Sequence, residues 1–340
     1  MEYRYLGRTG IRVSPLCLGC MTFGGKTTPD ESADMIDRAL DAGINFLDTA
    51  NVYVNGKSEK ATGKALKRNG KRDRIVLATK CHGNMHKDEP LDPNRWGNSR
   101  RQIIEQCDAS LKRLKTDWID LYQIHRPHVD CPIDETLRAM DDLVRSGKVR
   151  YIGCSTFASW QVIESLWVSD RHHLNRFVTE QPPYNLLDRR IERELVPMAQ
   201  TYGLALLPWS PLAGGFLTGK YRRGDTPTEG RYAPGKDTSP RAAEMLANER
   251  AHDVLDVVRR LAQARGCSVS QFALAWCMNQ PAITSPIIGP RTMAQLEDNL
   301  IAAGVRITDS DRKAIDEVIP PGRAVYSYYE ADFGPHPQRW

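Results

Sequence analysis

The sequence lacks the long apolar runs of a membrane protein. None of its stretches approaches the ~18 consecutive apolar residues of a transmembrane helix. The opening residues, Met1-Glu2-Tyr3-Arg4-Tyr5, contain no apolar core of the kind found in a signal peptide. The eight cysteines lie mostly inside apolar runs, as reduced core thiols do. We therefore expect a cytoplasmic protein with no membrane partner.

Clustered positive charge is also missing. The 47 basic and 42 acidic side chains are scattered along the chain, whereas a nucleic-acid-binding domain concentrates its basic residues on one face. Metal-ligand spacing is absent too, because neither Cys17-x-x-Cys20 nor His125-x-x-His128 is accompanied by a second pair of ligands. We expect no nucleic-acid partner and no metal, and the sequence specifies no oligomeric state.

The sequence does contain a regular alternation of short apolar runs with segments of helical period. Eight runs resemble buried strands: Leu16–Leu18, Asn45–Asp48, Ile75–Lys80, Ile119–Ile124, Tyr151–Ser155, Phe177–Gln181, Leu204–Pro208 and Ser285–Ile288. Eight strand–helix units indicate a parallel sheet closed into a (β/α)8 TIM barrel, in a single domain that spans residues 1–340. An N-terminal β-hairpin, Tyr3–Leu6 with Ile11–Val13, could plug one end. The stretch Arg222–Pro240 is predicted to be a loop and candidate lid, and the last helix to run over Thr292–Ala302.

Polar side chains stand where several of these runs end, at the barrel edge that carries the chemistry. Asp48 ends the second run, Tyr53 follows in its loop, Lys80 ends the third run and His125 follows the fourth. A buried lysine needs a carboxylate partner, which Asp48 on the adjacent strand can supply. A purely structural ion pair would account for Asp48 and Lys80, but it would not explain Tyr53 and His125 in the same ring.

Several motifs give the chain a family resemblance. They are Gly43-Ile44-Asn45-Phe46-Leu47-Asp48-Thr49-Ala50 with Tyr53 and Ser58-Glu59, then Ile75-Val76-Leu77-Ala78-Thr79-Lys80, Asp120-Leu121-Tyr122-Gln123-Ile124-His125, Val149-Arg150-Tyr151-Ile152-Gly153-Cys154-Ser155, Glu180-Gln181-Pro182-Pro183-Tyr184-Asn185 and Leu207-Pro208-Trp209-Ser210-Pro211-Leu212. With these motifs the chain resembles the aldo-keto reductase superfamily, in the branch of bacterial aryl-alcohol dehydrogenase-like enzymes and potassium-channel β subunits. The resemblance implies an NADPH-dependent reduction of an aldehyde or ketone, with reversible oxidation of the alcohol. It also implies a catalytic tetrad of Asp48, Tyr53, Lys80 and His125.

The chemistry of these four residues agrees with that assignment. An unperturbed tyrosine, with a pKa near ~10, holds its proton at neutral pH. A nearby Lys80 ammonium favours the phenolate, so Tyr53 can act as an acid in reduction and as a base in oxidation. Asp48 would keep Lys80 charged, and His125 would donate a hydrogen bond to the substrate oxygen.

The resemblance further implies a cofactor site on strand ends and the loops after them. Its residues are Met21, Thr22 and Asp48 near the ribose, Ser155 and Gln181 at the carboxamide, Trp209 on the nicotinamide, Ser210, Leu212, Gly214 and Lys220 at the pyrophosphate, Gly289, Arg291 and Gln295 at the 2′-phosphate, and Asp298 and Asn299 at the adenine. Gln295 and Gly289 stand where many members carry arginine and lysine. Arg291 is then the one clear cation for the 2′-phosphate, so NADPH is the expected cofactor and NADH the alternative.

One motif and two other functions compete with this assignment. Gly214–Lys220 has the spacing of a nucleoside-triphosphate loop, but Tyr221 stands where such a loop needs serine or threonine. A non-catalytic, nucleotide-sensing regulatory subunit would keep the same barrel and cofactor. A Schiff-base aldolase would use Lys80 as its nucleophile, which requires a neutral amine that Asp48 disfavours.

The partner is expected to be a small carbonyl substrate whose identity depends on five loops. These are Phe23–Lys26, His82–Trp96, His128–Cys131, Arg222–Pro240 and the tail Val325–Trp340. Their aromatic residues are Trp96, Tyr326, Tyr328, Tyr329 and Trp340. Such side chains suit an aryl or ring-shaped substrate, and they suit a contact between subunits equally well.

Overall fold

The eight predicted strands are all present in the computed structural model, which describes residues 1–85, 92–233 and 242–325. Two short strands come first and form the antiparallel hairpin, β1 (Arg4–Tyr5) and β2 (Arg12–Val13). The parallel strands are β3 (Cys17–Gly19), β4 (Phe46–Asp48), β5 (Val76–Cys81), β6 (Ile119–Ile124), β7 (Val149–Ser155), β8 (Phe177–Gln181), β9 (Ala205–Leu206) and β10 (Ile287–Ile288). Their bounds differ from the predicted ones by no more than a few residues.

Helices cover the outside of the sheet. They are α1 (Pro29–Asp41), α2 (Lys57–Asn69), α3 (Arg100–Leu114), α4 (Ile133–Arg145), α5 (Ser159–Arg171), α6 (Leu195–Tyr202), α7 (Ala242–Leu246), α8 (Glu249–Ala264), α9 (Val269–Met278), α10 (Met293–Ile301) and α11 (Asp309–Val318). Within the described ranges, none of these helices has the length and apolar character needed to cross a bilayer.

The strands follow one another around the barrel in chain order, each parallel to its neighbour, from β3 to β9 with β10 beside β3. Backbone hydrogen bonds close the remaining gap between β9 and β10. The Ile287 amide donates to the Pro208 carbonyl at 2.8 Å, and the Thr284 amide donates to the Leu206 carbonyl at 2.9 Å. The prediction of a (β/α)8 barrel is confirmed.

The lower half of the barrel interior is apolar because side chains alternate between the two faces of each strand. Phe46, Val76 and Leu121 point inward from three strands and form one cluster. Leu6 and Val13, at the two sides of the hairpin, are fully buried in the same cluster. The hairpin therefore closes the N-terminal end of the barrel, and the polar strand ends lie at the other end.

Local signals in the sequence set the helix ends. Thr28 and Glu31 form a capping box at the start of α1. The predicted final helix is observed as α10, with Thr292 as its N-cap. The expectation that no helix follows it was wrong, because α11 comes later in the chain. Its signal is a second capping box, in which Thr308 and Asp311 satisfy each other's backbone amides.

The predicted specificity loops are described only in part. Residues 222–233 of the candidate lid contain no helix or strand. Trp96 is described, whereas Tyr326, Tyr328, Tyr329 and Trp340 lie outside the described residues. All eight cysteines are free thiols, and six of them are buried.

Candidate active site

A buried ion pair occupies the C-terminal end of the barrel. Lys80 is fully buried, and its Nζ donates to Asp48 Oδ1 at 2.5 Å. The same Nζ donates to the Thr49 carbonyl at 2.9 Å and to Tyr53 Oη at 3.3 Å. Strand register explains this meeting, since Asp48 is level with Ala78 on β5 and Lys80 is the next residue to point inward.

Two amides complete the environment of the Asp48 carboxylate. Gln123 Nε2 donates to Asp48 Oδ2 at 3.3 Å, and Gln181 Nε2 donates to the same oxygen at 3.0 Å. Both carboxylate oxygens therefore accept hydrogen bonds, which offsets part of the free energy needed to bury the charge. The arrangement fixes the direction of Asp48 and, through it, the direction of Lys80.

The titration of Lys80 and His125 follows from this environment. Burial acts to lower the pKa of the Lys80 ammonium, but Asp48 and Tyr53 outweigh it, and the pKa of Lys80 lies above its ordinary value. Shielding from water holds the pKa of His125 well below its usual range, and Lys80 and Arg126 lower it further by like charge. Lys80 is therefore a cation and His125 a neutral imidazole at neutral pH. The rings of Tyr53 and His125 meet edge-on, with centroids 5.6 Å apart.

Backbone contacts hold Tyr53 in position beside Lys80. The chain after β4 continues along β5, where the Asn51 amide donates to the Lys80 carbonyl at 3.1 Å. At the start of α2, Ser58 Oγ donates to the Cys20 carbonyl at 2.6 Å. Between these anchors Val54 takes a φ of 48°, a left-handed conformation that is unusual for a β-branched residue. Strain of this kind persists only where the surroundings enforce it.

The residues expected at the nicotinamide carboxamide lie together at the ends of β7 and β8. Ser155 is level with Gln181 in the strand register, and its Oγ donates to the Gln181 carbonyl at 2.9 Å. Because the Gln181 side chain donates to Asp48, its amide oxygen is the atom left to accept from a carboxamide. Trp209 extends the same wall: its amide donates to the Pro182 carbonyl at 2.9 Å.

Arg126 lies next to these residues, although it was not predicted from the sequence as a site residue. Its Nη1 donates to Thr156 Oγ1 at 2.7 Å and to the His125 carbonyl at 2.7 Å. Its guanidinium carbon lies 5.8 Å from the centre of the Trp209 ring. A polar residue directly after His125 was the available signal. Gln123, a polar residue within the apolar β6, is a second site residue that was not expected.

The expected pyrophosphate loop has an unusual backbone. Ser210, Gly214 and Gly215 all have positive φ, and the Gly215 amide donates back to the Leu212 carbonyl at 2.8 Å. The chain thus makes a tight turn after Leu212, which the two glycines permit. Lys220 is exposed at the end of this loop and lines a cavity of about 320 Å³ with the start of the candidate lid.

The expected 2′-phosphate residues lie at the N-terminus of α10, and the expected adenine residues lie farther along the same helix. Gln295 Oε1 accepts a hydrogen bond from the Arg291 amide at 2.8 Å, so its side chain caps the helix. Asp298 accepts from Ser268 Oγ at 3.0 Å and from Gln271 Nε2 at 2.7 Å. Asn299 is buried. Arg291 is thus the cation at this helix end, whereas Gln295 and Asp298 have structural partners.

Two loops flank the start of α10. Gly289 is exposed, and a Cβ added there would meet nothing within 4 Å. Thr22, after β3, contacts Thr27 at 3.1 Å between the two Oγ1 atoms, and Thr27 in turn donates to the Arg291 carbonyl at 3.1 Å. Met21 beside them is exposed. Thr22 and Arg291, two of the residues expected at the cofactor, are thus linked through Thr27.

An aromatic cluster lies on the opposite side of His125. The Trp96 and His128 rings are 4.7 Å apart, and the His82 ring meets Trp96 edge-on at 5.9 Å. Burial lowers the pKa of His82 to about 4, and Asn98 Oδ1 lies 2.9 Å from its Nδ1. Burial lowers the pKa of His128 as well, so the cluster is uncharged at neutral pH. Across the described ranges, no group of three or more His, Cys, Asp or Glu could hold a metal ion.

Comparisons with known proteins show the family of the chain. Residues 15–320 match the model of the aldo/keto reductase family. The chain is 40% identical to the uncharacterized oxidoreductase YrpG of Bacillus subtilis (strain 168), over 95% of this chain and 97% of that protein. It is 37% identical to a probable voltage-gated potassium channel subunit beta of Oryza sativa subsp. japonica, over 90% of this chain and 92% of that protein. It is 36% identical to the versiconal hemiacetal acetate reductase of Aspergillus parasiticus, over 94% of this chain and 98% of that protein.

The contact between Gly83 and the Tyr53 loop gives a first prediction. A Cβ at Gly83 would lie 2.4 Å from Cγ1 of Val52, a short and stiff side chain next to Tyr53. Gly83→Ala should therefore displace Tyr53 and lower turnover with a test aldehyde roughly ten- to a hundredfold. Steady-state kinetics measures the effect.

Two further variants make that test specific. Val52→Ala in the Gly83→Ala chain should restore most of the turnover, because it removes the methyl groups that clash. Gly10→Ala, where an added Cβ meets nothing within 4 Å, should leave turnover unchanged. If Gly83→Ala is as active as the wild type, the packing of this loop does not set the position of Tyr53.

Proposed function

Because this chain belongs to the aldo/keto reductase family, we propose that it reduces a small aldehyde or ketone with NADPH and oxidises the alcohol in the reverse direction. Its relatives support an oxidoreductase in general. The observation that carries the proposal is the position of Lys80 Nζ, which donates both to Asp48 and to Tyr53. We place the reaction in a reducing cytoplasm, because the cysteines are free and mostly buried.

The residues along the barrel mouth fit a nicotinamide dinucleotide. Ser155 and Gln181 offer a hydroxyl and an amide oxygen to a carboxamide, and Trp209 offers a flat ring. Lys220, together with the exposed N-terminus of α10, offers positive charge and free amides to phosphates. NADPH, when bound, supplies the hydride.

Tyr53 supplies the proton in this proposal. Its Oη lies in the half-buried mouth of the barrel, with the Lys80 ammonium 3.3 Å away. As the proton leaves Tyr53 Oη for the substrate oxygen, negative charge develops on the phenol beside a fixed cation. Asp48 keeps that cation in place. In alcohol oxidation the same oxygen takes the proton back.

His125 positions the substrate carbonyl. Its pKa lies well below the usual range, so the imidazole carries one N–H and can donate a hydrogen bond without bearing a charge. Its ring lies edge-on to that of Tyr53, with centroids 5.6 Å apart. In this proposal both residues donate to the same carbonyl oxygen. Two donors at a single carbonyl oxygen stabilise the negative charge that develops there.

Both alternative functions meet an objection from the same geometry. A Schiff-base mechanism needs a neutral lysine, whereas Asp48 and Tyr53 hold the pKa of Lys80 above its ordinary value. A regulatory role like that named for the rice relative needs no proton donor, yet this chain retains a complete Tyr53–Lys80–His125 set. Oxidation of NADPH by the purified protein with a test aldehyde distinguishes an enzyme from a sensor.

The role of Tyr53 predicts the effect of removing its hydroxyl. Tyr53→Phe should lower turnover by about 10²- to 10⁴-fold, because the proton donor is lost. NADPH affinity should stay within about twofold, since the hydroxyl acts at the substrate oxygen rather than at a phosphate. Stopped-flow kinetics and a binding titration provide the two readouts.

Tyr122 offers a matched control for that experiment. It is a fully buried tyrosine on β6, and its hydroxyl contacts the Ile103 carbonyl of α3 at 3.4 Å, outside the barrel interior. Tyr122→Phe should keep near wild-type turnover. Turnover of Tyr53→Phe within tenfold of the wild type would remove Tyr53 from the role of proton donor.

Arg291 governs the choice of cofactor in this proposal. Arg291→Ala should weaken NADPH binding about ten- to a hundredfold and NADH binding far less, because the 2′-phosphate is present only in NADPH. High salt should weaken NADPH binding to the wild type more than to the variant. Isothermal titration calorimetry with both cofactors measures these affinities.

Lys220 supplies the comparison for that measurement. Lys220→Ala should weaken NADPH and NADH to a similar degree, since the pyrophosphate is common to both. An equal loss of both cofactors in Arg291→Ala would mean that Arg291 does not contact the 2′-phosphate.

A further inference from the structure

A fully buried glutamate directly precedes Gln181, one of the two residues expected at the nicotinamide carboxamide. Glu180 is the residue before Gln181 on β8, and it has no exposed surface. Because neighbouring side chains on a strand alternate, Gln181 points into the barrel and Glu180 points outward, toward the helical layer. The chemistry of the tetrad does not use Glu180. A buried carboxyl group in this position therefore calls for an explanation.

Glu180 accepts a hydrogen bond from the chain just after β7. Its Oε1 accepts from the Phe157 amide at 3.2 Å. Its Oε2 is buried and has no hydrogen-bond partner among the described residues. The nearby Cys154 thiol and, more weakly, the amides of Gln181, Thr156 and Phe157 stabilise the ionised carboxylate. The bond from Phe157 anchors the side chain to the last residue of β7 and the two residues after it, Ser155–Phe157, which we call the 155–157 turn.

The 155–157 turn carries two hydroxyl groups, those of Ser155 and Thr156. Ser155 Oγ donates to the Gln181 carbonyl, and Thr156 Oγ1 accepts from Arg126 at 2.7 Å. Thr156 has a φ of 69°, a left-handed conformation that a β-branched residue adopts only under constraint. The carboxylate of Glu180 contributes to that constraint from behind the turn.

The surroundings of Glu180 contain little other charge. Its register partners are Cys154 on β7 and Leu206 on β9. The buried residues of α5 and of α6, the helices that follow β7 and β8, are all uncharged. Burial and Glu180 itself raise the pKa of the Cys154 thiol well above its usual value, so Cys154 stays protonated. Glu180 is therefore the group in this layer that can change its charge near neutrality.

We propose that Glu180 is a positioning residue for the nicotinamide end of the cofactor, acting through the 155–157 turn. The inference rests on the proposed function, since it needs a nicotinamide at Ser155. When Glu180 is ionised, its carboxylate accepts from the turn and holds the Ser155 hydroxyl at the carboxamide. When Glu180 is protonated, these hydrogen bonds weaken and the turn loosens.

The pKa of Glu180 sets the direction in which pH changes cofactor affinity and stability. Burial raises the pKa of Glu180 to about 7, with the Cys154 thiol and the three amides acting in the opposite direction. Affinity for the nicotinamide end should therefore fall as the pH drops through about 7. The stability of the folded protein should change in the opposite direction. The carboxyl group of Glu180 has its ordinary pKa of 4.5 in the unfolded chain, so its contribution to folding stability is lost as the pH rises from 4.5 to about 7.

Two ligands distinguish binding at the nicotinamide end of the cofactor from binding at the adenine and phosphate end. NADP⁺ carries the nicotinamide, whereas 2′-phospho-ADP-ribose carries the same phosphates and adenine without it. Calorimetric titration of wild type with both, from more than one unit below to more than one unit above pH 7, gives a ratio of affinities at each pH. Protonation of the 2′-phosphate affects both ligands, so it cancels in the ratio.

The ratio of the affinities for NADP⁺ and the fragment should depend on the charge of Glu180. In wild type, the advantage of NADP⁺ over the fragment should fall roughly three- to tenfold as the pH drops through about 7. Glu180→Gln, which is neutral at every pH, should show the low ratio throughout. Glu180→Asp retains the charge and should recover part of the pH dependence. Arg291→Ala should lower the affinity for both ligands and leave the ratio unchanged.

Each remaining outcome has one meaning. A ratio that is independent of pH in wild type, or equal in wild type and Glu180→Gln, overturns the inference, and the wild-type titration gives this answer even where a variant does not fold. Failure of wild type to bind NADP⁺ or the fragment would instead contradict the proposed function. Thermal unfolding of wild type and Glu180→Gln across the same pH range checks that stability follows the opposite trend.

Discussion

The hydrogen-bonded ion pair of Lys80 and Asp48 is the interaction on which the site depends. Moving two such charges out of water costs several kcal/mol each, and the cost is offset only when the geometry is good and the remaining polar atoms are satisfied. The barrel provides this through strand register, which brings Asp48 on β4 within 2.5 Å of Lys80 on β5. Gln123 and Gln181 occupy the second carboxylate oxygen. The position of Tyr53 then follows from Lys80, whose third donor direction it fills.

The architecture was predictable because it depends on patterns that are local in the sequence. Apolar runs, helix caps and polar residues at strand ends indicated eight strands, and all eight were found. The meeting of Asp48 and Lys80 was predictable for the same reason, since a buried lysine requires a carboxylate on a neighbouring strand. α11 was missed even though its capping box is visible in the sequence, because the barrel pattern is already complete at α10.

The contacts that were not predictable depend on where side chains point after the chain has folded. Arg126 follows His125 in the sequence, but only the fold brings it to Thr156 and toward the Trp209 ring. The resemblance placed Gln295 at the 2′-phosphate, whereas in the structure its amide oxygen accepts a hydrogen bond from the Arg291 amide at the start of α10. The orientation of Glu180 away from the barrel follows from strand alternation, yet its hydrogen bond to the Phe157 amide depends on the course of the next turn.

The central claim is that the Lys80 cation controls the proton of Tyr53. The pH dependence of alcohol oxidation tests it most directly, measured with Lys80→Met and with Asp48→Asn/Lys80→Met, which leaves no unpaired buried carboxylate. The account predicts that both variants lose turnover and that their remaining activity rises at higher pH than in wild type, since the phenolate no longer faces a cation. Measurable activity with an unchanged pH profile would contradict it.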